Sequence, residues 1–370
     1  MYYLHNHLFF ELCKAKGIQT LLTVVTRFAK KCSISSIADN LDWMPKKIES
    51  ETSGRTFGEL QSFIEKFDTF VLATTIDKRY LTSRHGMVKA VMRFINNNNS
   101  NVKTHYSYYG RTKSRVLTKA LINILKTKIR GYFIDKNFVR NPSFIEPFVF
   151  FPLHQEPERS LLLSAPFYTN QYEAIKNIIK SLPIGYKLFI KEHPAMKARH
   201  WRKISQYKEI MGLPNVVMIH PSVNSKELIK KSSLVITISG TASFEAPFYQ
   251  KPSIVFADTS FSMLSSIYRL RSLEDLPEAI RVSLKKQINP NELSEYIDIV
   301  NKNTFEFDYD DFVLNIGDLF YYGSFLVNVE ISESEMKLFL DENKRILDKL
   351  AEEHIKKINY YKKNHKEIKS

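Results

Sequence analysis

The sequence predicts an α/β protein, and three observations carry that prediction. Short apolar runs alternate with amphipathic stretches from about residue 148 to 262. The segments between them are short. Each run has the length of a strand covered on both faces. The runs are FVFFPL, YKLFIKEHP, NVVMIH, LVITIS and PSIVFA, separated by the helical patterns TNQYEAIKNIIKSLP, ARHWRKISQYKEIMG, SKELIKKS and ASFEAPFYQ. Strands repeatedly separated by helices pair through crossovers, so the expected sheet is parallel with helices on both faces.

The other elements follow the same logic. YYLHNHLFFELCKAKGIQTLLTVV reads as an amphipathic helix, a Lys-Gly break and a strand. A βαβ layout places a strand before that helix, and the sequence supplies none there. Helical stretches are expected around FGELQSFIEKFDTFVLAT, HGMVKAVMRFINNNNSN and SRVLTKALINILKTKIRGYF, with NNNNSN as a polar loop. Two X-Pro steps in NPSFIEP, just before the strand FVFFPL, suit a domain junction. The expected division is therefore residues 1–145, 146–325 and a basic helical tail, 326–370. A length of 370 residues fits two cores better than one.

Composition narrows the function classes. Cys13 and Cys32 are the two cysteines, too few for a disulfide framework or a metal cluster, which fits a reducing, cytoplasmic setting. The sequence has neither a signal-peptide pattern nor an apolar run long enough to span a membrane. Net charge is +15, from 54 Lys and Arg against 39 Asp and Glu. Nucleic acid, an anionic membrane surface or phosphorylated small molecules would each suit that excess. No zinc-finger, basic-zipper or RNA-recognition pattern accompanies it, so nucleic acid is not expected.

Candidate chemistry lies at three strand ends. Lys191-Glu192-His193-Pro194 leaves the strand YKLFI, with Pro194 holding His193 extended. In open α/β sheets the carboxyl ends of strands are where ligands bind. Strand alternation puts Lys191 and His193 on one face and gives Glu192 a structural place on the other. The second strand end is Ser239-Gly240-Thr241, with Ser243 and Glu245 on the helix that follows. Amides and hydroxyls there suit an anion, Glu245 suits ribose hydroxyls, and an ordinary strand-to-helix turn capped by Thr241 or Ser243 fits equally. The third is His154, Gln155, Glu156 and Glu158, on a loop stiffened by Pro152 and Pro157. It reads as a surface turn or as a loop at an interdomain cleft.

FPLHQEPE, NQYEAIKNIIKSLPIGYKLFIKEHPA and NVVMIHPSVNSKELIKKSSLVITISGTASFEAPFYQKPSIVF resemble, in order over roughly 150–258, the capsule polysaccharide biosynthesis family. That family includes Kdo transferases and is similar in pattern to bacterial sialyltransferases, which also carry a His-Pro motif and a Ser/Thr-rich phosphate loop. The resemblance implies a GT-B-like fold, with two Rossmann-like domains facing a cleft, and C-terminal helices. The first domain would take the acceptor and the second the nucleotide sugar. It further implies a metal-independent, inverting transfer in which His193 meets the departing phosphate, without a cofactor. Lys191, Pro194, Ser239, Gly240, Thr241, Ser243 and Glu245 would bind the donor, and His154, Gln155 and Glu156 would line the cleft. Pro247 departs from the pattern, standing where the family tends to have an aliphatic residue.

The expected reaction is transfer of a sugar, by preference an acidic sugar such as Kdo from a CMP donor, to a glycan or lipid-linked acceptor. A CDP-glycerol-type polyol-phosphate transferase and an inactive nucleotide-binding scaffold share the frame. Asp77, Glu146 and Glu11 are candidates for the general base that the acceptor hydroxyl needs. The Lys-rich tail suits an anionic membrane surface, which would place the protein at the inner face of the membrane, or a helix packed back on the first domain.

Overall fold

The computed structural model describes residues 4–28, 30–38, 40–48, 54–66, 84–96, 112–156, 160–197, 199–321 and 330–367. Among them the strands are β1 (Leu22–Val25), β2 (Lys31–Ser35), β3 (Phe148–Pro152), β4 (Lys187–Lys191), β5 (Val216–Ile219), β6 (Leu234–Thr237), β7 (Ser253–Val255), β8 (Ile267–Arg269) and β9 (Phe305–Glu306). The chain divides into two compact units. The first comprises 1–43, 79–116 and 303–370, the second 44–78 and 117–302.

The second unit holds the six-stranded sheet, in the order β5-β4-β3-β6-β7-β8 and parallel throughout. In chain order this is 3-2-1-4-5-6, the doubly wound Rossmann arrangement. The α/β class and the parallel sheet expected from the alternation are both present. Its strands are apolar on both faces because helices cover both: Phe148, Val149, Phe150 and Phe151 are each at most 1% exposed. Phe148 and Phe189 stack across β3 and β4, with centroids 4.1 Å apart. The helix Gln171–Ser181 turns Ala174, Ile175 and Ile178 into the core that holds Val149 and Phe151.

Two details of this unit differ from the sequence reading. The helix expected through ARHWRKISQYKEIMG begins only at Ile204, because His200 and Trp201 take left-handed φ values of 66° and 57°. β8 is a sixth strand, where a mainly helical remainder was expected. Three residues carry too little pattern to announce a strand.

The boundaries also need correction. The helix Phe57–Glu65, assigned from sequence to the first domain, belongs to the second unit. Arg55 bonds Ser294 and pairs with Asp298 at 2.7 Å, Lys230 pairs with Glu65 at 3.1 Å, and Leu60 is fully buried. The expected division at 145/146 falls inside this unit, which begins its main segment at Leu117, within the helix Lys113–Asn137. The segment 303–325, assigned to the second domain, lies in the first unit.

In the first unit β1, β2 and β9 form an antiparallel sheet. The link from β1 to β2 is too short for a crossover, so the two strands return on each other as a hairpin. Cys32, Ile34, Phe305 and Phe307 form its core. Burial pushes the Cys32 thiol up to about 12 and leaves it unreactive. The C-terminal helices are Glu333–Glu342 and Lys344–Glu367. The latter packs on the sheet through Leu350, Lys357 and Tyr361, with Lys357 bonding Asp42 at 2.7 Å and Tyr361 bonding Asp42 at 2.8 Å. Among the described residues no helix is long and apolar enough to cross a membrane.

Candidate functional site at the carboxyl edge of the parallel sheet

The topological switch point of the sheet lies between β3 and β6, the neighbours from which the strand order runs outward in opposite directions. A crevice forms there because the two connections leave in opposite directions, and open α/β sheets bind ligands in it. The segments leaving β3, β6 and the adjacent β4 are the three picked out in the sequence. The fold brings all three to one edge.

His193 follows β4. Its backbone amide donates to Glu192 Oε1 at 2.7 Å, and its Nδ1 accepts from the Ala195 amide at 3.2 Å. That bond assigns the proton of the neutral ring to Nε2. Pro194 opens the short 3-10 turn Pro194–Lys197, which presents the Ala195 amide to the imidazole. Proline fits its first position, where an N–H would have no partner.

Glu192 is completely buried. It accepts from Tyr207 Oη at 2.7 Å and Arg202 Nε at 2.8 Å. Burial pushes its carboxyl up, and the guanidinium and these donors oppose that shift. Every bond Glu192 makes is as an acceptor, as an ionised carboxylate requires.

Lys191 ends β4, is 2% exposed, and donates from Nζ to Ser225 Oγ at 2.7 Å. Burial lowers its ammonium to about 7, against a smaller opposing pull from Glu245. Its amine is thus inside the protein, between the β4 end and the helix Ser225–Lys231.

His154 follows β3 and is 6% exposed, not part of a surface turn. Gln171 brackets it, accepting its amide N–H at 2.7 Å and donating to its carbonyl at 3.2 Å. Its Nε2 accepts the Ser239 amide at 3.2 Å, which assigns the ring proton to Nδ1. Glu156 pairs with Arg202 Nη1 at 2.5 Å. Gln155 is partly buried beside them. Pro157 and Glu158 lie outside the described residues.

After β6, the Gly240 amide donates to Thr237 Oγ1 at 3.2 Å and its carbonyl accepts Ser243 Oγ at 2.7 Å. Ser243 is fully buried, so its hydroxyl serves the loop's own geometry. Thr241 occupies the cap position with helical φ and ψ and without a side-chain cap bond. The amides of Thr241 and Ala242 have no acceptor among the described residues, and Ser239 Oγ is buried without a hydrogen-bond partner. A Cβ on Gly240 would lie 3.4 Å from Thr237 Cβ and 3.6 Å from His154 Cε1. These are ordinary van der Waals distances and the backbone φ is not left-handed, so neither space nor conformation demands a glycine at this position. The α-helix Ala242–Glu245 passes at Ala246 into a 3-10 turn containing Pro247. The proline therefore shortens the helix that the family pattern continues.

Arg202, Tyr207, Gln171 and Ser225 belong to this site and were not singled out in the sequence. Gln171 had a legible signal: it stands on the apolar stripe of its helix, in register with Ala174, Ile175 and Ile178. Arg202 and Tyr207 had none, being read within one continuous helix. Of the candidate bases, Glu146 precedes β3 and pairs with Lys187 at 2.6 Å, at the amino end of the sheet, away from the site edge. Glu11 lies on the helix Leu4–Ala15 of the first unit, 3.9 Å from His7, and Asp77 lies outside the described residues. No three His, Cys, Asp or Glu among the described residues are placed to hold a metal ion.

Comparison with known proteins bears on the same segments. No curated protein matches the chain. Among solved structures it is similar to the UDP-GlcNAc 2-epimerase of Methanocaldococcus jannaschii, at 17% identity and a TM-score of 0.32, over 46% of this chain and 48% of that one. It is also similar to KpsC of Thermosulfurimonas dismutans in two structures. The beta Kdo 2,7 transferase matches at 16% identity and TM-score 0.29, over 43% and 53% of the two chains. The beta Kdo 2,4 transferase matches at 16% identity and TM-score 0.29, over 53% and 64%. The chain spans about half the length of the first solved structures it matches. Residues 73–269, more than half of the 370 and including all three strand-end segments, match the model of one family. The chain belongs to the capsule polysaccharide biosynthesis protein family.

Proposed function

We propose that this protein is a glycosyltransferase of surface polysaccharide synthesis that binds a nucleotide sugar at the carboxyl edge of the parallel sheet. The observation that carries the reading is the convergence of the His154, His193 and Ser239–Thr241 segments around the switch point. In a nucleotide sugar, negative charge grows on the leaving phosphate as the glycosidic bond breaks. His193 offers Nε2–H to that charge, and the Thr241 and Ala242 amides offer two further donors. Preorganised donors of this kind stabilise developing charge without reorganising during the reaction. Glu245 serves the ribose, and Lys191 contributes from beneath the site rather than as an exposed cation. The transfer is an inverting, metal-independent displacement. An acidic sugar carried by CMP is the preferred donor, and a glycan or lipid-linked molecule the acceptor.

Thermal-shift titration with CMP, CDP, UDP and GDP, on the wild type and on His193→Ala, tests the reading. Selective stabilisation by one nucleotide, weakened in the variant, supports it and names the donor class. No shift with any of the four defeats it and favours a scaffold without a nucleotide site. Attachment to an anionic membrane through the helix Lys344–Glu367 is a separate part of the proposal, suggested by its exposed Ile355 and Tyr360 among lysines. Binding to anionic vesicles that survives deletion of 343–370 would remove that part.

A further inference from the structure

We propose that Arg202 is the positioning residue of this site, orienting the imidazoles of both His193 and His154 without reaching the ligand itself. Each guanidinium nitrogen has its own partner. Nε donates to Glu192 at 2.8 Å, Nη1 to Glu156 at 2.5 Å, and Nη2 to the carbonyl of His154. Glu192 in turn accepts the His193 amide, and His154 accepts the Ser239 amide at Nε2. One planar group is therefore bonded directly to the segments after β3 and β4, and through His154 to the segment after β6. Its side chain is 5% exposed, so it serves from below.

The backbone leading to Arg202 carries an independent mark. His200 and Trp201 are consecutive non-glycine residues in the left-handed region, at φ 66° and 57°. Such strain persists only where the surroundings over-determine it, and it clusters at functional sites. Here Arg130 Nη1 donates to the carbonyls of both residues, at 2.9 Å each, and Thr127 Oγ1 lies 2.8 Å from His200 Nδ1. The Trp201 amide donates to the Met196 carbonyl at 2.7 Å. The left-handed pair holds the chain out of the helix, which starts at Ile204, and Arg202 just after it meets the segments that leave β3 and β4. Lysine cannot replace it: one ammonium lacks the planar fork that meets three acceptors at fixed angles.

That the two rings serve a leaving phosphate rests on the function proposed above; that Arg202 orients them does not. Nitrogen-15 NMR of the full chain at a pH where both rings are neutral separates the two questions. The imidazole signals are assigned with His193→Ala and His154→Gln. The wild type is expected to show His193 as the Nε2–H tautomer and His154 as the Nδ1–H tautomer. In Arg202→Lys both rings are expected to become tautomer mixtures. CMP affinity should fall at least tenfold, with no further loss when His193→Ala is added. Both tautomers retained in a folded Arg202→Lys, or additive losses of affinity, overturn the proposal. If Arg202→Lys does not fold, Glu156→Gln takes its place: partial mixing at His154 and His193 supports the proposal, and unchanged tautomers overturn it. A wild type that binds no CMP while Arg202→Lys mixes the tautomers removes CMP as the ligand and leaves the positioning role standing.

Discussion

Two ionic clusters, a buried one in the second unit and a half-buried one in the first, use the same chemistry for different ends. In the second unit Arg202 is bonded to Glu192, Glu156 and the His154 carbonyl, and joins loops already carried by neighbouring strands. In the first, Asp42 is bonded to Lys357, Tyr361 and Ser36, and holds a helix against a sheet. Remove the first and the strands remain, because apolar packing holds them; what goes is the placement of side chains at their ends. Remove the second and an element loses its seat. Buried ion pairs are weak sources of net stability, so their value lies in what they fix.

The largest expected effect is at the first cluster. Arg202→Met leaves the fully buried Glu192 and the partly exposed Glu156 without their cation. The loss should be about 3–5 kcal/mol, the usual consequence of removing one partner of a buried pair. Chemical denaturation of the two proteins measures it, and a loss below about 1 kcal/mol would mean the carboxylates have other means of neutralisation.

Next is Lys191, whose effect depends on pH. Its ammonium is lowered to about 7 in the folded protein and returns to its ordinary, higher value on unfolding. Below pH 7 both states carry the proton, and the folded state bears the full desolvation. Above pH 7 the folded state releases it first, the unfolded state binds more protons, and stability rises with pH. Lys191→Met should therefore stabilise most below pH 7, by on the order of 3–5 kcal/mol, with the gain shrinking towards alkaline pH. A gain independent of pH would assign the effect to packing.

Asp42→Asn should cost about 1–2 kcal/mol and loosen the C-terminal helix. Burial raises the Asp42 carboxyl, but bonds from Lys357, Ser36 and Tyr361 outweigh it and hold the pKa below its ordinary value. The stability it lends is present above the unfolded carboxylate range and is lost as pH falls through the folded pKa. Hydrogen exchange along 344–367 should rise with acid in the wild type and be high throughout in the variant. The smallest effect is expected at Gly240. An added methyl meets Thr237 and His154 at about van der Waals distance. Gly240→Ala should shift stability by less than about 1 kcal/mol. A larger loss would show that the β6 loop and the His154 ring cannot yield.

The sequence announces the parallel sheet, since FVFFPL, LVITIS and their neighbours alternate with amphipathic helices, and that alternation is local. It also determined that His154, His193 and Ser239–Thr241 would share an edge, because a residue just past a parallel strand must lie at the carboxyl end. The tertiary structure alone decided that His154 is buried, that Lys191 points inward to Ser225, and that the helix Phe57–Glu65 belongs to the second unit. It alone decided the place of Arg202, which takes its partners from residues 10, 46 and 48 positions earlier in the chain. Strand and helix follow from neighbours along the sequence. The partner of a buried charge follows from which strands lie side by side, and no local pattern records that.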